Sequence, residues 1–174
     1  NYIMALFPGP GWRDPDFIAA RLAMAALSQR EFLEVRTKRN LSYAPRAWLA
    51  WDRELPTGAL YVTAVDPVAT MRVMLDEARR LRDEPMPERE LAAIKATLLT
   101  DAFLDGEAPA DQAVQLGHAQ LYAGNWRAAR NLPDRVRAVS AALIQAWATR
   151  RLTHLQTFVV GDPTKIDRKA LEAF

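Results

Sequence analysis

Apolar and polar positions recur with clear periods along the chain, and these periods predict its elements. Residues 2–7, 43–52, 59–65 and 154–160 are predicted as strands, because their apolar residues alternate or run on between turn-forming residues. The connection RELPTG, at 53–58, carries the proline and glycine of a hairpin turn. The second and third strands are therefore expected to pair antiparallel.

Helical periods fill most of the remaining chain. Asp14 or Asp16 can cap a first helix, which is expected to end near residue 27. Asn40 is suited to a left-handed position at the end of the second helix. That second helix is predicted at 29–39. The later helices are predicted to begin at Asp66-Pro67, Pro87 and Gln112, after Ser140, and near Lys165. A broken helical stretch is expected just before Ser140.

The order of these elements indicates the fold class. A strand, two helices, a hairpin, several helices and a closing strand favour an antiparallel sheet with helices packed on one face, which is an α+β fold. No internal repeat or interior linker divides residues 1–174, so a single domain is expected. The chain opens directly on the apolar, strand-like NYIMALF, from which we expect it to be a fragment of a longer protein.

Charge and composition exclude several classes of function. The 23 basic and 21 acidic residues leave a formal charge of only +2, which does not favour a polyanion binder at the level of the whole chain. The absence of cysteine excludes disulfides and thiolate metal sites. The sequence contains no run of about 18 apolar residues, so no membrane span is predicted. The composition suits a bacterial protein and leaves the compartment, periplasmic or cytoplasmic, open.

The most informative stretch for chemistry is FLEVRTKRNLSYAPRAWLAW, at 32–51. It places Arg36 on the last turn of a predicted helix and Tyr43 at the start of the predicted strand that follows, so the two can face one cavity. The arginine offers a permanently charged fork of donors that suits a peptide carbonyl or an oxyanion. The tyrosine hydroxyl supplies one more donor from a rigid ring.

The same stretch resembles the C-terminal homologous domains of the pitrilysin/insulinase-like zinc metallopeptidases. In that family a short helix ending in an arginine is followed, seven residues later, by a tyrosine. Three other stretches resemble the family in the same order: ALFPGPGWRDPDFIAARLA, RELAAIKATLL and LTHLQTFVVGD. Two departures are visible. AALSQR, at 25–30, replaces a glycine-rich turn, and Asn40 replaces a glycine.

The resemblance implies an elaborated ferredoxin-like half of a zinc metalloendopeptidase. It also implies that Arg36 and Tyr43 bind the substrate backbone and stabilise the transition state at a zinc site in another domain or subunit. The family's zinc motif, H-x-x-E-H, is absent, because His118 and His154 are the only histidines and lie in different elements. No metal or cofactor is therefore expected in this chain. The expected partners are a zinc-bearing homologous domain and a peptide.

Two other functions are compatible with the sequence. The chain could be a catalytically inactive scaffold of the same fold that acts only through association. It could instead bind nucleic acid through Arg36, Lys38, Arg39 and Arg46 with the interleaved aromatic residues. The second of these is disfavoured, because the stretch lacks a stacking-platform motif and the adjoining REFLEV is acidic and apolar.

Overall fold

A computed structural model describes residues 1–52 and 54–174, apart from the side chain of Lys165. Its four strands form one antiparallel sheet in the order β2-β3-β1-β4. The strands are β1 (Tyr2–Pro8), β2 (Arg46–Ala50), β3 (Thr57–Thr63) and β4 (Gln156–Val160). The predicted α+β class with an antiparallel sheet is confirmed.

The second strand is shorter than predicted, and this changes the setting of Tyr43. The prediction placed Tyr43 within a strand over 43–52, but β2 begins only at Arg46. The preceding residues lie outside the sheet ladder: Leu41 N–H donates to the carbonyl of Val35 at 2.9 Å, and the hydroxyl of Ser42 lies 3.1 Å from that of Thr63 on β3. Tyr43 therefore lies in a loop three residues before β2.

The helices also agree with the prediction in number and order more closely than in their bounds. Asp66 and Ser140 are N-caps, as predicted, since their side chains accept hydrogen bonds from the amides of Ala69 and Leu143. The helices are α1 (Phe17–Glu31), α2 (Pro67–Asp83), α3 (Glu88–Leu104), α4 (Pro109–Ala123), α5 (Leu132–Ala138), α6 (Ala141–Arg151) and α7 (Arg168–Glu172), with 3₁₀ turns at Trp126–Asn131 and Pro163–Lys165.

The expected break between the first two helices is wrong. The backbone continues as a helix through Phe32 (φ −59°, ψ −44°), and α1 passes directly into a π-helical segment, Phe32–Thr37. In this segment the hydrogen bonds span five residues, as from Lys38 N–H to the carbonyl of Leu33 at 2.9 Å. Asn40 then reverses the chain in the left-handed region (φ 51°), as predicted.

The core lies between one face of the sheet and the helices. Helix α1 is buried on most of its sides and contacts β2, α2, α3 and α6. Trp147 of α6 is fully buried and meets Phe7 of β1 edge to face at 5.9 Å. The inner face of the sheet contributes Ile3, Ala5, Phe7, Leu60 and Val62.

The opposite face of the sheet, here called the outer face, is apolar but exposed or half-exposed in the described chain. Tyr2 and Phe158 each keep more than half of their surface accessible, and Val160 keeps 68%. The larger apolar residues of the outer face are Tyr2, Met4, Leu6, Trp48, Tyr61, Phe158 and Val160, and the strand register also places Arg46, Thr63 and Gln156 on it. The helices therefore cover one side of the sheet only, as the sequence predicted.

None of the helices in the described part of the chain combines the length and the hydropathy that a membrane crossing requires.

Candidate functional site

The structure brings Arg36 and Tyr43 into direct contact. The Cζ atom of Arg36 lies 4.4 Å from the centroid of the Tyr43 ring and 4.8 Å from that of Phe32. The guanidinium therefore rests against two aromatic rings, an arrangement that holds a cation through the electrostatic attraction of the ring faces. We call Phe32, Arg36 and Tyr43 the arginine stack.

The local chain builds this stack. Phe32 and Arg36 lie four residues apart in the π-helical segment, so they project from nearly the same side. Val35 points the other way and is fully buried, which anchors the segment in the core. The left-handed turn at Asn40 then returns the chain, and its amide donates to the carbonyl of Arg36 at 2.9 Å. Tyr43 is thereby carried back over the guanidinium.

Polar atoms of the stack are left free. Neither the guanidinium of Arg36 nor the hydroxyl of Tyr43 has a hydrogen bond or ion pair within residues 1–52 and 54–174, and Tyr43 is 77% exposed. Arg39 differs, because its guanidinium reaches the carboxylate of Glu34 at 2.5 Å, and Lys38 reaches the same carboxylate at 2.6 Å. The hydrogen bonds from Lys38 and Arg39 lower the pKa of Glu34. Arg36 is therefore available to a ligand, whereas its two basic neighbours are engaged.

Each of the four cations considered for nucleic-acid binding contacts a neighbouring side chain. Lys38 and Arg39 share an ion pair with the single carboxylate of Glu34, and Arg36 is stacked on Tyr43. Arg46 lies on β2, where its Cζ is 5.5 Å from the ring centroid of Trp48. This distribution does not resemble the continuous basic groove that follows a nucleic-acid backbone.

Comparisons with known proteins identify the family. The family model described as the peptidase M16 inactive domain matches residues 1–98, which is more than half of the chain. The chain belongs to the peptidase M16 inactive-domain family. The resemblance to non-zinc domains of zinc metallopeptidases is therefore confirmed. No curated protein matches the sequence.

Solved structures share the fold of this M16 inactive domain. The inactive peptidase domain of a candidate zinc protease from Bordetella parapertussis has a TM-score of 0.79 at 20% identity, with 93% of each chain covered. A candidate zinc protease from Bordetella pertussis Tohama I has a TM-score of 0.78 at 18% identity, covering 92% of this chain and 93% of that one. An M16 inactive domain from Pseudomonas fluorescens has a TM-score of 0.78 at 19% identity, covering 93% of this chain but only 42% of that one.

The two histidines of the M16 inactive domain lie in different parts of the fold. In the described residues no group of three or more histidine, aspartate or glutamate side chains lies close enough to hold a metal ion. His154 is exposed in the turn before β4. His118 of α4 packs edge to face on Trp51 and Tyr122, at 5.6 and 5.7 Å. The side chains present therefore do not fit a zinc site within this domain.

One polar residue near the stack lies in an unexpected environment. The placement of Glu31 and Glu34 before Arg36 and Lys38 is typical of charge pairing on a helix face. Glu31 is instead fully buried, and neither carboxyl oxygen has a hydrogen-bond partner in the described chain. Burial, and to a lesser degree the charge of Glu77, raises the pKa of Glu31 well above its usual range. Leu27 and Val35, four residues before and after Glu31, are apolar and were the available signal, but only the packing of α1 against α2 shows that the carboxyl is enclosed.

Proposed function

We propose that this domain is the non-zinc half of a zinc metalloendopeptidase, in which the arginine stack binds the peptide backbone at a zinc site in another domain or subunit. The observation that carries the proposal is the free guanidinium of Arg36, held between Phe32 and Tyr43 with no partner in the described chain. The family supports the setting, since its members are inactive peptidase domains.

The geometry suits stabilisation of a polarised carbonyl. Contact with two rings limits rotation of the Arg36 side chain, so its edge presents N–H donors in a fixed plane. The hydroxyl of Tyr43 adds a donor on the same exposed side of the domain. Donors that are already oriented stabilise charge that develops in a transition state without a reorganisation cost at the moment of reaction. When bound in the partner, zinc would supply the Lewis acid and the activated water.

The outer face supports the requirement for a partner. Soluble domains rarely expose a continuous apolar surface without a contact that covers it, and this surface includes the exposed side chains of Tyr2, Phe158 and Val160. We assign the outer face to the zinc-bearing homologous domain, in the same polypeptide or in a separate subunit. The Pseudomonas chain, of which this domain spans 42%, is long enough to include a second domain of this size.

The outer face also favours a second candidate function. A domain that only associates needs the apolar surface but has no use for free donors at Arg36 and Tyr43. Such an inactive scaffold would position the zinc-bearing half without contacting the substrate.

Tyr43→Phe in the assembled enzyme separates the two functions. This change keeps the ring under Arg36 and deletes one donor, so we expect kcat to fall by roughly ten- to a thousand-fold with unchanged folding. Tyr122→Phe is the matched control, because it deletes a hydroxyl that donates to the backbone carbonyl of Asp52 at the other end of α1. Unchanged kcat and kcat/KM for Tyr43→Phe would support the scaffold and exclude a catalytic role for Tyr43.

A further inference from the structure

A cavity of about 350 Å³ lies at the N-terminal end of α1, far from the arginine stack. Phe17 lines the cavity, while Arg36 lies 19 residues further along the continuous helix. At about 1.5 Å per residue the two sites are roughly 28 Å apart. The cavity is therefore a separate feature of the domain, and a ligand bound there would be independent of the proposed peptidase role.

Aromatic rings form one wall of the cavity. Trp51, directly after β2, is at the centre of this wall, and Trp12 and Phe17 meet it at 5.1 and 5.9 Å between ring centroids. From α4, His118 and Tyr122 meet the same indole at 5.6 and 5.4 Å. A wall of this kind presents flat apolar surface to a ligand at a low cost in conformational entropy, because packed rings have little freedom left to lose.

Two arginines supply positive charge to the cavity. Arg21 lies on α1 and Arg135 on α5. Their Cζ atoms are 5.8 and 5.9 Å from the centroid of the Phe17 ring. Both side chains line the cavity, and neither has a hydrogen bond or ion pair among the residues that the structure describes. Burial and, after it, the charge of Arg135 lower the pKa of Arg21, and the charge of Asp105 acts in the opposite direction.

Two carboxylates supply negative charge to the same cavity. Asp101 lies in the last turn of α3, and Asp105 is the C-cap of the same helix. Both side chains line the cavity. Their side chains also lack hydrogen-bond and ion-pair partners in the described chain. The charge of Asp105 acts on Arg21, yet the two side chains do not form an ion pair within 4.0 Å. Opposite charges thus line one space without forming an ion pair among the described residues.

We propose that this cavity binds the zwitterion of an α-amino acid with an apolar or aromatic side chain. The carboxylate would lie between Arg21 and Arg135, the ammonium would face Asp101 and Asp105, and the side chain would pack on Trp51. Arginine is suited to a carboxylate because its forked donors match two oxygens. The volume is at the small end of the range for ligand sites, which fits one amino acid.

Ligands of other charge types fit less well. A simple anion would approach two aspartates, and a simple cation would approach two arginines, so each would meet repulsion from half of the charged groups. A neutral apolar molecule would further desolvate the half-buried guanidinium groups of Arg21 and Arg135 without compensation, which is costly. Only a ligand with both charges close together compensates both pairs.

Calorimetric titration of the full chain with L-phenylalanine tests the proposal directly. N-acetyl-L-phenylalanine removes the ammonium charge, and L-phenylalaninamide removes the carboxylate. We expect saturable binding of L-phenylalanine and at least ten-fold weaker binding of each derivative. No saturation with L-phenylalanine at millimolar concentration, or equal binding of either derivative, would overturn the assignment to a zwitterion.

Paired variants locate the binding. Arg135→Met removes a cation that lines the cavity, whereas Arg137→Met removes the same charge from the same helix at an exposed position paired with Asp134. We expect Arg135→Met to weaken binding of L-phenylalanine by at least ten-fold and Arg137→Met by less than two-fold. Asp101→Asn should weaken it by a similar factor and should leave circular dichroism and Tm unchanged. Equal effects of Arg135→Met and Arg137→Met would place the ligand elsewhere and refute the proposal.

Discussion

Helix α1 and the π-helical segment that follows it form one continuous helix, and each end of this helix places arginine against phenylalanine. The two ends are built in opposite ways. At the C-terminal end, Phe32, Arg36 and Tyr43 come from twelve consecutive residues, and the aromatic rings are exposed. At the N-terminal end, Arg21 and Arg135 come from two helices far apart in sequence, and the ring of Phe17 is only 1% exposed.

This difference separates residues that hold the fold from residues that are free to act. A buried ring is fixed by contacts from several elements, so its loss opens a cavity in the core. An exposed ring in a local turn contributes little to the core, and its removal mainly frees the side chain that it restrained. We therefore expect stability to depend on the N-terminal end of α1 and activity on the C-terminal end.

The largest expected effect compares the two phenylalanines. Phe17→Ala should lower the free energy of unfolding by about 3–5 kcal/mol, because a fully buried aromatic ring is removed. Phe32→Ala should lower it by less than about 1 kcal/mol, because the ring is 45% exposed. Urea denaturation of the two variants provides the measurement. Similar losses would show that the C-terminal end is part of the core.

The next effect concerns activity at the exposed end. In the assembled enzyme, Arg36→Lys should reduce kcat/KM almost as much as Arg36→Ala, by roughly 10²–10³-fold, because the forked donor geometry is lost although the charge remains. Arg39→Lys is the control, since Arg39 is engaged with Glu34. Steady-state kinetics of the three variants would decide, and near-normal turnover with Arg36→Lys would mean that charge alone is needed.

A third effect probes the helix between the two ends. The raised pKa of Glu31 means that the folded state keeps its proton to higher pH than the unfolded state does. The contribution of protonated Glu31 to the free energy of unfolding is fully present below the pKa of the unfolded state. It is lost as pH rises through the pKa of the folded state. Glu31→Gln should therefore be more stable than the parent by about 1–3 kcal/mol at pH 7, with a smaller difference at pH 4. Unfolding curves at both pH values test this, and a pH-independent difference would contradict it.

The smallest effect concerns the turn that returns Tyr43 to Arg36. Asn40 has a φ of 51°, so Asn40→Ala should cost about 1 kcal/mol of stability, whereas Asn40→Gly should be close to neutral. Thermal unfolding of both variants measures the difference. A glycine variant less stable than the alanine variant would show that the asparagine side chain, and not the backbone conformation, stabilises the turn.

Much of this domain follows from local sequence. Residue periodicity predicted the four strands, the capping residues Asp66 and Ser140 predicted helix starts, and Asn40 predicted a left-handed turn. The proximity of Arg36 and Tyr43 could also be predicted, because both lie within one turn and its return. These features depend on the few neighbouring residues that set backbone conformation, and such interactions are visible in a linear sequence.

Other features were decided only by the tertiary structure. The helix continues from α1 through the π-helical segment to residue 37 because it is buried against the sheet and α2. This packing overrides the weak sequence signals for a break at 28–29. The same packing encloses Glu31 and removes it from charge pairing. The aromatic cavity joins residues from α1, α3, α4 and α5 with Trp51, and no spacing in the sequence relates them. Burial and long-range contact depend on how separate elements pack together, whereas a residue pattern reports only its own element.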